Sequence, residues 1–300
     1  MPDFARIYFN QAMALPASSR LAEFAAFREK LAKNPPPDTY VTNVKRDRFI
    51  LIKAWGYGFW SDVDHVLGGL LLAEMTGRTP IVHWGANSLF SDDPAANAFE
   101  TFFDPVSALT IDDLASNEMD YFPPKWSASN LRSEDNAKWN GAYSRMAALY
   151  LLGRLETVIV SDFHVSIVSL QPWIKHDHFL YGLSCDDLYR HLLDKYLKPR
   201  MAILDEVDNF YNRNLADVPY IAMHVRGSDK HLELPHLEKI NQEYFRLIRK
   251  LPVESARKIF LLTDSADILN RYWQEFGDKL VSTQCLRTAD DTGIHYKANS

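Results

Sequence analysis

The sequence predicts an α/β protein built from two successive series of parallel strands. The first reason is that a strand, a glycine-containing loop, a helix and a second strand follow one another within residues 49–84, which is the order of a βαβ unit with parallel strands. The second is that the alternation of apolar strands and amphipathic helices restarts after residue 217. A length of 300 residues also suits two domains of ordinary size. We therefore expect two α/β halves, joined near residue 217 and facing a cleft between them.

The predicted N-terminal half covers residues 48–216, and residues 1–47 precede it as a helical lead-in with one amphipathic helix over 17–33. Short apolar runs indicate buried strands at 49–54, 80–84 and 156–160. Apolar residues at helical spacing predict helices at 61–76, at 142–155 and, as one or two long helices, at 186–215. Gly77 ends the first of these helices, because glycine readily adopts the left-handed conformation that closes a helix.

The predicted C-terminal half, residues 217–300, repeats the same alternation of elements. Strands are expected at 220–225, 258–262 and 279–281, and helices at 239–251 and 266–276.

Composition argues against several classes of function. The formal net charge is −6 and the sequence has no basic cluster, which argues against a nucleic-acid partner. No apolar run reaches the ~20 residues that span a bilayer, and no signal peptide is visible, so we expect a cytoplasmic protein without a membrane span. The two cysteines, Cys185 and Cys285, lie far apart and outside metal-ligand spacing, which suits free thiols in a reducing compartment. Signatures of P-loop, serine-hydrolase and zinc-protease sites are also missing from the sequence.

The first candidate site is the loop between the first strand and the first helix. Segment 56–61, Gly-Tyr-Gly-Phe-Trp-Ser, nearly matches the glycine fingerprint of dinucleotide sites, with Ser61 at the third glycine position. Asp62 and Asp64 follow, and such carboxylates favourably face the positive end of a helix but repel a diphosphate there. Ser61 is then either a helix N-cap followed by two surface charges, or part of a loop that approaches a neutral sugar or a reacting hydroxyl. In the second case a carboxylate is available to take a proton from such a hydroxyl.

The second candidate site is Arg226, which follows the strand at 220–225. Ligands of parallel sheets bind beyond the carboxyl ends of the strands. A guanidinium offers phosphate two parallel hydrogen bonds and keeps its charge near neutral pH. Arg226 therefore either binds a phosphate group or forms an ion pair within the fold, with Asp229 as a nearby partner.

The third candidate site, Thr263-Asp264-Ser265, also lies where a strand passes into a helix. It is either an N-cap for that helix or a loop that holds a nucleotide base or ribose.

Taken together, the three sites resemble the fucosyltransferase superfamily, which includes protein O-fucosyltransferases, α-1,6-fucosyltransferases and the rhizobial nodulation fucosyltransferase. Segment 58–68, Gly-Phe-Trp-Ser-Asp-Val-Asp-His-Val-Leu-Gly, resembles the family's Gly-x-Phe-Gly-Asn-Gln-x-Asp-His-x-Leu-Gly. Segment 224–229, His-Val-Arg-Gly-Ser-Asp, resembles its His-x-Arg-Arg-x-Asp signature, and segment 263–265 resembles its Thr-Asp-Ser loop. The order and spacing of these motifs agree over roughly residues 49–270.

The resemblance implies a GT-B fold, in which two Rossmann-like parallel-sheet domains face a cleft. It also implies a metal-independent, inverting glycosyltransferase that uses a GDP-sugar, with fucose the first choice, and no other cofactor. Catalytic roles are implied for Arg226, at the donor's phosphates and glycosidic oxygen, and for Asp62, as the base for the acceptor hydroxyl. Asp64 and His65 become acceptor-side candidates. The other motif residues are implied to bind the donor: His224, Gly58, Phe59, Ser61, Asp229, Asp264 and Ser265. The acceptor is a glycan, a lipid-linked oligosaccharide or a peptide.

Three departures from the family pattern stand out. Gly227 occupies the position of the usual second arginine, Trp60-Ser61 replaces Gly-Asn, and residues 217–300 end before the family's last strand. We therefore expect the C-terminal Rossmann-like domain to be truncated. The alternative interpretation is a noncatalytic nucleotide- or glycan-binding protein with a degenerate donor site. A metal-dependent glycosyltransferase is less favoured, because the carboxylates of Asp62-Val63-Asp64 diverge at a helix start.

Overall fold

The structure, a computed structural model, describes residues 47–91, 93, 95–133, 151–228, 230, 234–250, 258–290 and 293. The predicted helix over 17–33 and most of the predicted helix over 142–155 lie outside these residues. The chain divides into two compact units, Met1–Arg200 and Met201–Ser300. The sequence places this boundary later, after residue 216, and that assignment of domains stays a prediction.

The first unit contains a parallel sheet with the strand order β2-β1-β4-β3. Its strands are β1 Phe49–Lys53, β2 Thr79–His83, β3 Tyr121–Phe122 and β4 Val158–Ser161. The three strands that the sequence predicts in this half are confirmed, with small differences at their ends. Strand β3 is additional, because two residues within a loop-rich segment carry no recognisable periodicity.

The described helices of the first unit comprise one long helix, α1, and three shorter ones. They are α1 Phe59–Thr76, α2 Phe99–Phe102, α3 Ile167–Leu170 and α4 Cys185–Tyr196, with short 3₁₀ turns at Ile111–Leu114 and Gln171–Trp173. Helix α1 begins earlier than predicted: Gly58 is its N-cap residue, in an extended conformation without a side-chain cap. Ser61 is therefore not the N-cap. Gly77 ends the helix with a φ of 63°, as the sequence predicts.

Helix α1 packs directly against the sheet. A Cβ atom added at Gly69 would lie 2.7 Å from Cδ1 of Ile52 on β1, so glycine is required for this close approach. Leu70 and Leu71 are completely buried beside it. Leu114 and Trp126 belong to a second cluster that covers the opposite face of the sheet, so β1 and β4 are buried almost throughout rather than at alternate residues.

The second unit contains a smaller parallel sheet with the order β5-β6-β7. Its elements are α5 Met201–Asn214, β5 Tyr220–His224, α6 Leu237–Arg249, β6 Lys258–Leu262, α7 Ala266–Phe276, a 3₁₀ turn Gly277–Lys279 and β7 Leu280–Val281. The helical pattern over 186–215 is thus two helices, α4 and α5, separated by a segment that includes Pro199. Proline interrupts a helix because it lacks the amide hydrogen and its ring clashes with the preceding turn.

The core of the second unit lies between this sheet and helices α6 and α7. Its buried apolar residues are Val225, Phe245, Ile248, Ile259, Leu261, Tyr272 and Leu280. Strand β5 shows the predicted alternation, but its residues alternate between exposed and half-buried because it lies at the end of the strand order. The two parallel sheets confirm the predicted α/β class. In the part of the chain that is described, no helix is long and apolar enough to cross a membrane.

Candidate active site

Arg226 lies just beyond the carboxyl end of β5, where the sequence places it. In the parallel register His224 pairs with Leu262, so two residues later Arg226 comes opposite Asp264. The Nη1 atom of Arg226 lies 2.9 Å from Oδ2 of Asp264. The Arg226 side chain remains 37% exposed, whereas that of Asp264 is only 11% exposed, so the cation is the accessible member of this ion pair.

Asp264 holds the loop that follows β5. Its Oδ1 accepts a hydrogen bond of 2.7 Å from the backbone amide of Gly227, and its Oδ2 accepts one of 2.6 Å from the hydroxyl of Ser228. Ser228 is buried and has a φ of 47°, in the left-handed region that few non-glycine residues adopt. Asp264 therefore fixes the conformation of this loop. Asp229, the ion-pair partner and donor-binding residue suggested by the sequence, lies outside the described residues.

Gly227 is in close contact with the neighbouring loop. A Cβ atom at this position would lie 2.7 Å from Cβ of Ser265 and 3.0 Å from Cδ1 of Ile268. Ser265 is itself held in place, because its hydroxyl accepts a hydrogen bond from the amide of Ile268 as the N-cap of α7. The N-cap interpretation of Ser265 is thus confirmed by geometry, and a donor-binding role for it stays a prediction. A side chain at this position, such as the second arginine of the family motif, would therefore collide with Ser265 and Ile268 unless they moved.

Other residues at this sheet edge were not identified from the sequence. Asn241 on α6 donates a hydrogen bond of 2.7 Å to the carbonyl oxygen of Arg226. Arg287 donates to the carbonyl oxygen of Thr263, directly after β6. Neither residue lies in a recognisable motif, so the sequence carries no signal for them. His224, a predicted donor-binding residue, is exposed at the end of β5.

The loop between β1 and α1 presents aromatic side chains on either side of Gly58. Tyr57 is 43% exposed and Trp60 is 74% exposed, and such rings commonly contact sugars. Phe59, by contrast, packs edge-to-face against Trp84, Phe90 and Phe102. Its side chain thus belongs to the hydrophobic core of the first unit, and its predicted contact with the donor stays untested.

Asp62 lies beneath this loop. Its side chain is completely buried, and Oδ1 accepts a hydrogen bond of 2.9 Å from the amide of Gly56, whose φ is 81°. The surface-charge interpretation of Asp62 is therefore wrong, because the residue turns inward from the first turn of α1 to hold the loop. Its role as the catalytic base stays a prediction.

Asp64 lies in the network of side chains that also contains His164 and Tyr189. Its Oδ2 lies 3.0 Å from Nε2 of His164, and its Oδ1 accepts a hydrogen bond of 2.5 Å from the hydroxyl of Tyr189. Burial raises the pKa of Asp64, but the hydrogen bonds from His164 and Tyr189 outweigh it and leave the pKa below its usual value. The Asp64 and His164 side chains are 31% and 24% exposed, so a carboxylate–imidazole pair reaches the surface of the first unit.

His65, the second acceptor-side candidate, is completely buried. Its Nδ1 accepts a hydrogen bond of 3.0 Å from the amide of Val165, which places the proton of the neutral ring on Nε2. Burial, assisted by repulsion from His164, lowers its pKa from 6.5 to about 3. His65 therefore remains neutral and joins α1 to the segment that follows β4. Across the described ranges, no three or more histidine, cysteine, aspartate or glutamate residues form a set that could hold a metal ion.

Comparison with known proteins shows which proteins the chain is similar to. No family model matches the chain. Nodulation protein Z of Bradyrhizobium diazoefficiens is 23% identical over 278 residues, which cover 86% of this chain and 70% of that protein.

Solved structures of the same kind of protein share the fold. The crystal structure of fucosyltransferase NodZ from Bradyrhizobium matches with a TM-score of 0.51 and 20% identity, over 80% of this chain and 79% of that one. The structure of NodZ α-1,6-fucosyltransferase soaked with GDP-fucose matches with a TM-score of 0.54 and 21% identity, over 80% of this chain and 78% of that one. The predicted resemblance to the fucosyltransferase superfamily is confirmed, and the chain has the GT-B-like fold of that superfamily.

Proposed function

We propose that the protein is a glycosyltransferase that transfers fucose from GDP-fucose to a hydroxyl group of a glycan, a lipid-linked oligosaccharide or a peptide. The observation that carries this proposal is the position of Arg226, a partly exposed guanidinium at the carboxyl end of a parallel strand. Support for the donor comes from NodZ, which is named as an α-1,6-fucosyltransferase and has been crystallised with GDP and soaked with GDP-fucose.

Arg226 acts on the leaving group. During inverting transfer the acceptor oxygen attacks C1 of the sugar, the bond from C1 to the diphosphate oxygen breaks, and its electron pair remains on the diphosphate. The guanidinium stabilises this developing charge more than the ground state, which lowers the barrier. Asp264 supplies the orientation, since its carboxylate holds the guanidinium and the Gly227 amide on one loop.

A general base takes the proton of the acceptor hydroxyl. This base is either a carboxylate or an imidazole held in position by a carboxylate. The family resemblance favours Asp62 as the base, whereas exposure favours Asp64 with His164, because Asp62 is buried beneath the β1–α1 loop. In the second case Asp64 holds Nε2 of His164 and leaves Nδ1 to accept the proton. Trp60 and Tyr57 add exposed aromatic surface for a sugar ring close to the same helix start.

A donor screen tests this proposal. The protein is incubated with GDP-fucose, other GDP-sugars and UDP-sugars together with glycan, lipid-linked and peptide acceptors, and the products are weighed by mass spectrometry. We expect a fucose-sized mass increase with GDP-fucose, and a loss of most of this activity in a folded Arg226→Lys variant, because lysine cannot form the two parallel hydrogen bonds. Near-normal transfer by Arg226→Lys would refute the role of Arg226. Donor binding without transfer to any acceptor would instead favour the noncatalytic nucleotide-binding protein.

A further inference from the structure

A second arginine, Arg287, spans the carboxyl ends of β6 and β7. Its Nε donates a hydrogen bond of 3.1 Å to the carbonyl oxygen of Thr263, the first residue after β6. Its Nη2 donates to the hydroxyl of Ser282 and to the carbonyl oxygen of Thr283, both at 2.8 Å, directly after β7. The guanidinium therefore lies on the sheet edge at which Arg226 leaves β5.

The charge of Arg287 has no carboxylate partner in the described part of the chain. Its fourth hydrogen bond, from Nη1 to the carbonyl oxygen of Cys285 at 3.1 Å, again goes to a neutral acceptor. Among the described ion pairs, the carboxylate at this edge, Asp264, bonds Arg226 instead. Carbonyl and hydroxyl oxygens orient a guanidinium without neutralising it, so Arg287 keeps a fixed positive charge at a half-buried position.

Arg226 and Arg287 contact consecutive residues of the loop between β6 and α7. Arg226 bonds the side chain of Asp264, and Arg287 bonds the carbonyl oxygen of Thr263. The strand order β5-β6-β7 places the two guanidinium groups on either side of this loop. Ligands of parallel sheets bind at this edge, and a diphosphate carries more than one negative charge, which a single arginine does not balance.

We propose that Arg287 is the second cation that binds the diphosphate of the donor, an inference that rests on the proposed function. Four hydrogen bonds hold its guanidinium in place before any ligand binds, so little conformational entropy is lost when a phosphate oxygen binds to it. It supplies from a different strand end the charge that Gly227 cannot supply, because the packing of Gly227 against Ser265 excludes a side chain there.

Calorimetric titration with GDP and GMP tests this inference. The variants are Arg287→Met, which keeps an unbranched side chain up to the position of Nε but not the charge, and Arg287→Lys, which keeps the charge. Arg213→Met, at an exposed arginine on α5, is the matched control. We expect Arg287→Met to weaken GDP binding by roughly ten- to a hundredfold, as for one lost charge-assisted phosphate contact, and GMP binding much less. The preference for GDP over GMP should fall in the order wild type, Arg287→Lys, Arg287→Met.

Two results would overturn the inference while leaving the proposed function intact. In the first, wild type binds GDP and Arg287→Met binds it equally well. In the second, Arg287→Met loses the same factor for GDP and for GMP, which identifies a purely structural role for its bonds to the loop. A wild-type protein that binds no GDP would overturn the proposed function itself, together with this inference. Thermal unfolding monitors folding, and if Arg287→Met does not fold, an unchanged GDP preference in Arg287→Lys and in Arg287→Gln would still refute the role.

Discussion

Replacement of Gly227 by alanine tests how the loop that follows β5 is packed. The new Cβ would lie 2.7 Å from Cβ of Ser265 and 3.0 Å from Cδ1 of Ile268. Carbon atoms in normal contact lie about 3.5–4.0 Å apart, so Ser265 has to move by about 1 Å. The backbone of Gly227 is outside the left-handed region, so the cost is steric and does not arise from its φ angle.

The expected loss of stability in Gly227→Ala comes from overpacking at these two contacts and from the displaced N-cap of α7. Overpacking of this kind costs about 1–3 kcal/mol, and a displaced Ser265 weakens the N-cap of α7, which contributes about 1 kcal/mol. We expect Gly227→Ala to lower the free energy of unfolding by about 2–3 kcal/mol in chemical denaturation. GDP affinity should fall roughly tenfold, because the Gly227 amide and the Arg226 guanidinium share the Asp264 carboxylate.

A double variant separates this contact from other effects. Ser265→Gly removes the atom with which the new methyl group collides, and glycine is itself a fair N-cap, so it costs only a few tenths of a kcal/mol alone. Gly227→Ala combined with Ser265→Gly should therefore recover most of the lost stability. Gly58→Ala is the control, since a Cβ at Gly58 meets no atom within 4 Å. If Gly227→Ala is as stable as the control, or if the double variant shows no recovery, then contact with Ser265 does not limit the residue at position 227.

Three further outcomes are expected. Asp64→Asn should lower kcat at saturating acceptor by at least tenfold. Asp62→Asn should change kcat less, because its amide oxygen can still accept the hydrogen bond that the Gly56 amide donates. The reverse ranking would return the role of base to Asp62. His164→Gln should lower kcat without changing the affinity for GDP, and an unchanged kcat would remove His164 from proton transfer. His65 should make the fold sensitive to acid, because the unfolded chain binds its proton near pH 6.5 and the folded protein only near pH 3. The free energy of unfolding therefore falls as pH falls through this window, by about 2 kcal/mol at pH 5. In urea unfolding, His65→Gln should lose correspondingly less stability than the wild type between pH 7.5 and 5. An equal loss in the two proteins would contradict the burial of a neutral ring.

Local patterns predict most of the strands and helices, because apolar residues recur in the sequence with the period at which each element buries its side chains. The position of Arg226 is predictable for the same reason, since it follows a strand whose alternation is visible. The ion-pair partner of Arg226 is not predictable in this way. Asp229 is near in sequence, but the register of β5 against β6 places Asp264, at the end of β6, beside Arg226. Such pairing depends on which strands are neighbours, and a single sequence does not contain that information.

The burial of individual polar residues is equally hard to predict. Aspartate in the first turn of a helix usually faces solvent, yet Asp62 turns inward to bond the Gly56 amide. The role of Gly227 is visible only when the contact with Ser265 is known, because in the sequence it is simply a missing arginine. Arg287 follows the short strand β7 without any motif, so only the three-dimensional arrangement draws attention to it.

The proposed function requires that the sheet edge at Arg226 bind the diphosphate of a GDP-sugar. Isothermal titration of GDP into the wild-type protein and into Arg226→Ala measures this directly. We expect saturable one-to-one binding by the wild type, and a loss of at least tenfold in affinity in a variant whose thermal unfolding shows it to be folded. No binding of GDP by the wild type, or equal affinity in the two proteins, would contradict the account.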